Sequence, residues 1–277
     1  MRPNIRKLFL APLLLFGLFY LVLAIFTATR DYSAPAFTPT DTGSRDITIF
    51  GASGTAGDGI LKATLADPQV RKIQVVTRRS TPRIEEGIAS GKVEMIQHLD
   101  YLDYSEIHHL LPEVDTVYWA IGISSLGAER AVYGMIHVDF PLQFVKEWTS
   151  LNPGGDLSFH FISSSDISEE SETMWIQEKI RAEKTLFSFA VDKNLRVIAY
   201  RPDYIGPTRE TAHPGQQLLY GFFRPVGAAV RATEIGKAML ELSARGRTVE
   251  NGTKVSTSGI MGYSLAYDQR QELDAQQ

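Results

Sequence analysis

The 277-residue chain contains no cysteine, so disulfides, thiolate catalysis and cysteine-ligated metals are all excluded. No run of lysine and arginine follows residue 7, and the formal charge is −4, which argues against a nucleic-acid surface. The six histidines, His98, His108, His109, His137, His160 and His213, never fall at His-x-x-x-His or His-Glu-x-x-His spacing. That leaves no zinc motif and no metal site to expect. There is no Gly-x-Ser-x-Gly elbow, and no Lys-Ser/Thr pair closes a glycine loop as nucleotide hydrolases require. Internal repeats are absent too.

Residues 47–57 read Ile-Thr-Ile-Phe-Gly-Ala-Ser-Gly-Thr-Ala-Gly, an alternating strand running into three glycines spaced three apart. Gly51 permits a tight turn, Gly54 a close ligand approach, and Gly57 the packing of helix on sheet. A pyrophosphate held there, against Ser53, Thr55 and Ala56, would lie at a helix N-terminus. Unpaired N–H groups and the positive end of the dipole favour an anion at that place. An ordinary glycine-rich strand-to-helix turn reads the same way, so the residues beyond it decide.

Beyond the glycines, short apolar runs alternate with longer amphipathic ones. Strands are expected at 46–51, 72–77, 93–98, 115–121, 157–163 and 195–201. Helices are expected at 54–66, 103–111, 128–149, 172–192 and 232–245. This alternation predicts an α/β fold with a doubly wound parallel sheet built from right-handed βαβ units. Pro68 and Pro112 sit where helices should stop. Residues 206–231 read as irregular and are the candidate substrate-covering segment.

Residues 8–29 carry no charge and are mostly Leu, Phe, Ala, Val and Ile. As a helix they reach about 33 Å, enough to cross a bilayer core. Arg2, Arg6 and Lys7 precede them and Arg30 follows. A single-pass membrane anchor over 1–30 is therefore expected. A cleaved signal is the rival, but its apolar region is usually shorter, about 7–15 residues. The basic amino end directs the globular part away from the cytosol by a small charge margin. Asn251-Gly252-Thr253 would then be a glycosylation acceptor. Residues 31–45, rich in Pro, Thr and Ser, read as a linker. They lead to one domain over 46–277 with a small C-terminal substrate-side segment.

Thr77, Arg78 and Arg79 follow the second strand, where a site preferring NAD would carry an acidic residue. Two guanidinium groups suit the 2′-phosphate of NADP by charge-assisted, bidentate bonds. With the glycines, Asp100, Ala120-Ile121-Gly122, His137-Val-Asp139, Phe161-Ile-Ser-Ser164, Lys179 and Arg201-Pro202, these residues stand in a telling order. Over roughly 46–245 the chain resembles the atypical short-chain dehydrogenase/reductases. It is most similar there to the Tat-interactive-protein oxidoreductases and the nitrogen-repression-regulator-like proteins. The resemblance implies a Rossmann fold binding NADP(H), with Asp100 near the adenine and Ala120–Gly122 beside the nicotinamide ribose.

It also implies a serine at the end of the fifth strand and a Tyr-x-x-x-Lys pair on the next helix. Ser163, Ser164 and Ser165 end that strand, and Lys179 is present, but residue 175 is tryptophan. An indole N–H cannot serve as a general acid near neutral pH. Ser164 and Lys179 thus remain as catalytic candidates, with Lys179 also a cofactor ligand. Tyr118, Tyr133, Tyr204 and Tyr220 are alternative phenols that spacing alone does not separate. Asp166, Glu169, Glu170 and Glu172 read as a solvated helix entrance.

Two functions of different class follow. One is a membrane-anchored oxidoreductase acting on a carbonyl or alcohol with NADP. The other is an inactive NADP(H)-binding sensor or scaffold, suggested by Trp175. An epimerase or dehydratase of nucleotide sugars ranks third, because the segment after residue 202 is short for a substrate domain.

Overall fold

The computed structural model describes residues 5–35, 45–165 and 167–276. Asp166 and most of the expected linker, residues 36–44, lie outside them. Helix α1 (Ile5–Thr29) comes first, then β1 (Arg45–Phe50), α2 (Thr55–Ala66), β2 (Val70–Thr77), α3 (Pro82–Ala89) and β3 (Val93–Gln97). A 3-10 stretch, Ser105–Glu113, leads to β4 (Thr116–Trp119). Next come α4 (Arg130–Gly134), a π-helical turn at Met135–Asp139, α5 (Phe140–Leu151) and β5 (Leu157–Ile162). They are followed by α6 (Met174–Ala190), β6 (Leu195–Arg201), β7 (Tyr204–Gly206), α7 (Pro214–Phe223) and β8 (Ala229–Arg231). The chain closes with α8 (Ala232–Ala244), β9 (Thr253–Ser256) and α9 (Thr257–Asp274).

Seven strands form one sheet in the order β3-β2-β1-β4-β5-β6-β9, every pair parallel. Parallel sheets need both faces covered, and alternation along β1 shows how. Ile47 and Ile49 enter a core with Ile60, Ile235 and Met239 from α2 and α8. Phe50 points the other way, into an aromatic core with Trp119, Phe144, Trp148 and Phe159. The direction of winding reverses between β1 and β4, so the crevice opens there at the carboxyl ends.

Helices α2 and α8 meet backbone to backbone. A methyl group on Gly59 would run into Ala232, and one on Gly236 would stand 2.7 Å from the Ala63 methyl. Small residues at these points let the helices close on the sheet.

All six expected strands form. The corrections lie elsewhere. Residues 206–231 are not irregular: they hold α7 and β8, and β7 and β8 make a separate two-stranded parallel ribbon. Helices α3 and α9 and strand β9 were not expected. Pro112 lies inside its 3-10 stretch instead of ending a helix, which its position near the end tolerates. The linker boundaries also shift. Arg45 already belongs to β1, and residues 31–35 lie against the domain instead of hanging free. Tyr32 packs on the first core, and Arg245 Nη1 donates to the Pro35 carbonyl at 2.8 Å. Arg245 is itself held, with Arg270, on the buried carboxylate of Glu241 at 2.9–3.0 Å.

Candidate active site

The glycine loop is built as a phosphate cradle must be. Gly51 has φ +78°, and a Cβ there would stand 2.7 Å from the Ala120 carbonyl. A side chain on Gly57 would collide with the carbonyl of Gly51. Gly54 differs: a Cβ on it meets only that same oxygen, at 3.5 Å, so its outer side is open space. Gly54 is also the N-cap of α2 and supplies no side-chain cap. The first N–H groups of that helix therefore lack the usual oxygen partner.

Ala52, Ser53, Gly54 and Thr55 line a cleft of about 540 Å³. Its far wall is the start of α3 and residues Pro207, Thr211 and Gln216. A strap of ion pairs ties that wall to α2. Asp58 accepts from Arg83 Nε at 2.6 Å and from the Thr208 hydroxyl at 2.7 Å. Lys62 pairs with Glu210 at 2.5 Å, which holds that carboxyl down at about 2. A cleft of similar size, about 530 Å³, opens at the other end of the sheet among Asn152, Phe189 and Asp192. The Gly154-Gly155 turn lines it, but it leads from the C-terminal end of α5 into β5, so no helix N-terminus is among its lining residues.

At the end of β2, Thr77 is buried and its hydroxyl donates to the Arg79 carbonyl at 2.9 Å. The threonine shapes the turn. Arg78 and Arg79 are exposed, and neither guanidinium has a hydrogen bond or ion pair among the described residues. Asp100 is exposed as well, and its carboxylate accepts from the Leu102 N–H at 2.9 Å. Ala120 and Ile121 are half-buried above β4, and Gly122 is exposed, packed against the His137 ring.

Lys179 is buried, and its ammonium donates to His137 Nδ1 at 3.0 Å and to the Ile162 carbonyl at 3.2 Å. That leaves one of its three protons without a partner among the described residues. Burial lowers Lys179 to about 8, against the opposing pull of Glu183. Burial, and then the Lys179 charge, lower His137 to about 3, although its bond to Ile123 acts the other way. The histidine is thus neutral near pH 7. Its Nε2 lies between the Ile123 N–H at 3.3 Å and the Ile123 carbonyl at 3.4 Å. His137 lies on the π-helical turn, a local widening that often marks functional sites.

The three serines separate. Ser163 is buried and donates to Glu183 Oε1 at 2.6 Å, and Glu183 also pairs with Arg201 at 2.5 Å. It belongs to the framework. The Ser165 N–H donates to the Pro202 carbonyl at 3.2 Å. Ser164 is half-buried two residues beyond the carbonyl that Lys179 holds, and its hydroxyl has no partner among the described residues. Trp175, one turn before Lys179, is half-buried with no ring partner among the described residues.

The four phenols now differ. Tyr118 is enclosed in the core against Ser243, and Tyr220 lies under the Arg231 guanidinium at 3.6 Å. The Tyr204 hydroxyl reaches the Gln216 carbonyl at 3.4 Å. Tyr133 packs at a tilt against His137, ring centres 4.2 Å apart, and its hydroxyl makes no hydrogen bond among the described residues. Burial, then Glu178, push Tyr133 up to about 12. Sequence reasoning could not choose it, because the choice rests on its neighbour His137 meeting Lys179 of α6. Asn251 is committed to the fold: its amide accepts from the Val197 N–H and donates to the Phe187 carbonyl.

No protein-family model matches the chain. Over 150 residues it is 27% identical to leucinostatins biosynthesis cluster protein T of Purpureocillium lilacinum, covering 54% of each chain. The chain thus spans about half the length of that relative. It is 24% identical over 186 residues to the mitochondrial protein fmp52 of Emericella nidulans, covering 66% of this chain and 76% of that one. Among solved structures, a 3-oxoacyl-[acyl-carrier protein] reductase from Brucella melitensis superposes with TM-score 0.58 at 16% identity. It covers 78% of this chain and 97% of its own. UDP-glucuronic acid 4-epimerase from Bacillus cereus, solved with NAD, gives 0.59 at 13% identity, covering 76% and 77%. The fold is the Rossmann type shared by short-chain dehydrogenases and nucleotide-sugar epimerases.

Proposed function

We propose that the protein is a membrane-anchored, NADP(H)-dependent oxidoreductase of the short-chain dehydrogenase type, acting on a carbonyl or alcohol. The observation that carries this reading is the uncapped N-terminus of α2 facing an open cleft, with two uncommitted guanidinium groups at the end of β2. The first suits a pyrophosphate and the second a 2′-phosphate. The residues fit the cofactor, since the only glycine of the loop with free space beside it, Gly54, faces where the phosphates would lie. When bound, the cofactor supplies a hydride at C4 of its nicotinamide.

The chain's own residues do the rest. The spare proton of Lys179 is available to a ribose hydroxyl, and the neutral His137 fixes the ammonium in that place. Ser164 orients the substrate oxygen with its unpaired hydroxyl. Tyr133 supplies the proton that the oxygen gains on reduction, the role that Trp175 cannot fill. The apolar helix α1, with none of its Pro12–Thr29 window buried, supports the anchor. Titration of the purified protein with NADPH, followed by nicotinamide fluorescence, tests the reading. Saturable binding tighter than that of NADH is expected, and no saturation at millimolar cofactor would overturn it.

Trp175 favours a second reading, an inactive cofactor-binding sensor. Trp175→Tyr separates the two. Activity appearing only in that variant supports the sensor, whereas wild-type turnover lost on Tyr133→Phe supports the enzyme.

A further inference from the structure

Helix α7 is unusual for a helix of a water-soluble domain, because none of its ten residues is buried. Its sequence, Pro-Gly-Gln-Gln-Leu-Leu-Tyr-Gly-Phe-Phe, has no charge, yet Leu218 is 76% exposed and Leu219 and Phe222 nearly half exposed. The polar groups all turn inward. Gln216 lines the cleft, Gln217 accepts from Arg231 Nη2 at 2.8 Å, and the next charge, Arg224, is paired with Glu234 at 2.7 Å. What remains outside is an apolar face.

That face is continuous with α1. The Tyr20 hydroxyl donates to the Phe222 carbonyl at 2.8 Å, and the two rings lie 5.4 Å apart. Farther along, Thr27 borders Gly227. Tyr20 is nine residues before the end of α1, about 13 Å along the helix axis at about 1.5 Å per residue. The contact therefore falls inside the apolar run of α1. Wherever α1 is surrounded by lipid, the end of α7 is at comparable depth. Amphipathic helices lying in a membrane interface sink their apolar faces about 5–10 Å, within reach of that geometry.

We infer that α7 is a second membrane contact, its Leu218–Leu219–Phe222 face sunk among acyl chains while its Gln216 side walls the cleft. The inference rests on the anchor reading of α1. The cleft then opens at the lipid surface, and its substrate is a sparingly water-soluble carbonyl or alcohol taken from the bilayer.

The absence of cysteine gives a direct test. Leu218→Cys, Phe222→Cys, Val22→Cys and Val191→Cys variants of the full chain each take one NBD label. Each is reconstituted into phosphatidylcholine–phosphatidylserine vesicles. Val191, 55% exposed at the end of α6, is the aqueous control. Labels at 218 and 222 should be quenched by acyl-chain nitroxides at least about three-fold more than the label at 191, and resist iodide. A lipid-buried label at 22 with iodide-accessible labels at 218 and 222 overturns the inference and leaves the anchor intact. Iodide access at all of these positions overturns both.

Discussion

Lys179 Nζ and His137 Nδ1 stand 3.0 Å apart in a pocket where burial drives both toward neutrality. One consequence is a pH dependence of stability. His137 and the core histidine His160, whose Nδ1 and Nε2 are held by Tyr200 and Ser158, both sit at about 3 when folded. Unfolded, each would titrate near 6.5. From pH 6.5 down to about 3 the unfolded chain binds more protons, so stability falls by about 1.4 kcal/mol per unit and histidine. Denaturant unfolding at several pH values should show this slope, and His137→Gln should remove about half of it. An unchanged slope would refute the burial assigned here.

Lys179 acts in the opposite range. Its folded value near 8 lies below the ordinary 10.5, so it burdens the fold below pH 8 and that burden lifts as pH rises toward 10.5. Lys179→Met should therefore be stabilising at pH 7 while abolishing turnover. A loss of stability at pH 7 would mean that its two hydrogen bonds outweigh desolvation.

Two of the loop glycines, Gly57 and Gly54, should respond differently. Gly57→Ala forces a methyl into the Gly51 carbonyl and should destabilise by several kcal/mol, read as a fall in melting temperature. Gly54→Ala meets its nearest atom at 3.5 Å, so the fold should survive nearly unchanged. Its methyl occupies the space that a pyrophosphate needs, and NADPH affinity should drop at least about tenfold. Retained affinity would place the phosphates elsewhere.

Charge removal at the end of β2 tests cofactor choice. Arg78→Ala combined with Arg79→Ala should weaken NADPH by about 10- to 100-fold, the worth of one or two charge-assisted bonds, with NADH unaffected. Equal loss for both cofactors would assign the arginines a general electrostatic role.

If α7 delivers substrate from lipid, vesicle-bound protein should prefer a long-chain aldehyde to a short one. Leu218→Glu with Phe222→Glu should erase the preference without altering NADPH affinity. Preference unaffected by these changes would locate substrate entry away from α7.

Much of this was legible in the chain. The six strands β1 to β6 announce themselves by their runs of buried apolar residues, as Ile47, Ile49 and Phe50 show, whereas β9 buries only Val255. The glycine loop is legible because its spacing is imposed by backbone collisions, not by distant partners. Helix α7 was invisible for the converse reason: its apolar residues face outward, so no amphipathic pattern pointed to a core. Helix α9 hides its pattern because its buried face includes Arg270 and Ser264 beside Ile260 and Tyr267. The pairing of His137 with Lys179 joins residues 42 positions apart on separate helices. Only the folded chain reveals such a neighbour.

The glycine-lined seam between α2 and α8 has a mechanical meaning. With Gly59 pressed on Ala232 and Gly236 on Ala63, neither rod can slide or roll without steric collision. The anion cradle is bolted to the helix layer on one face of the sheet, and any breathing of the cleft falls to its opposite jaw. That jaw is fastened at the carboxylate of Asp58, where Arg83 and Thr208 converge. The Lys62–Glu210 pair ties the same jaw to α2, so opening would require both fastenings to part.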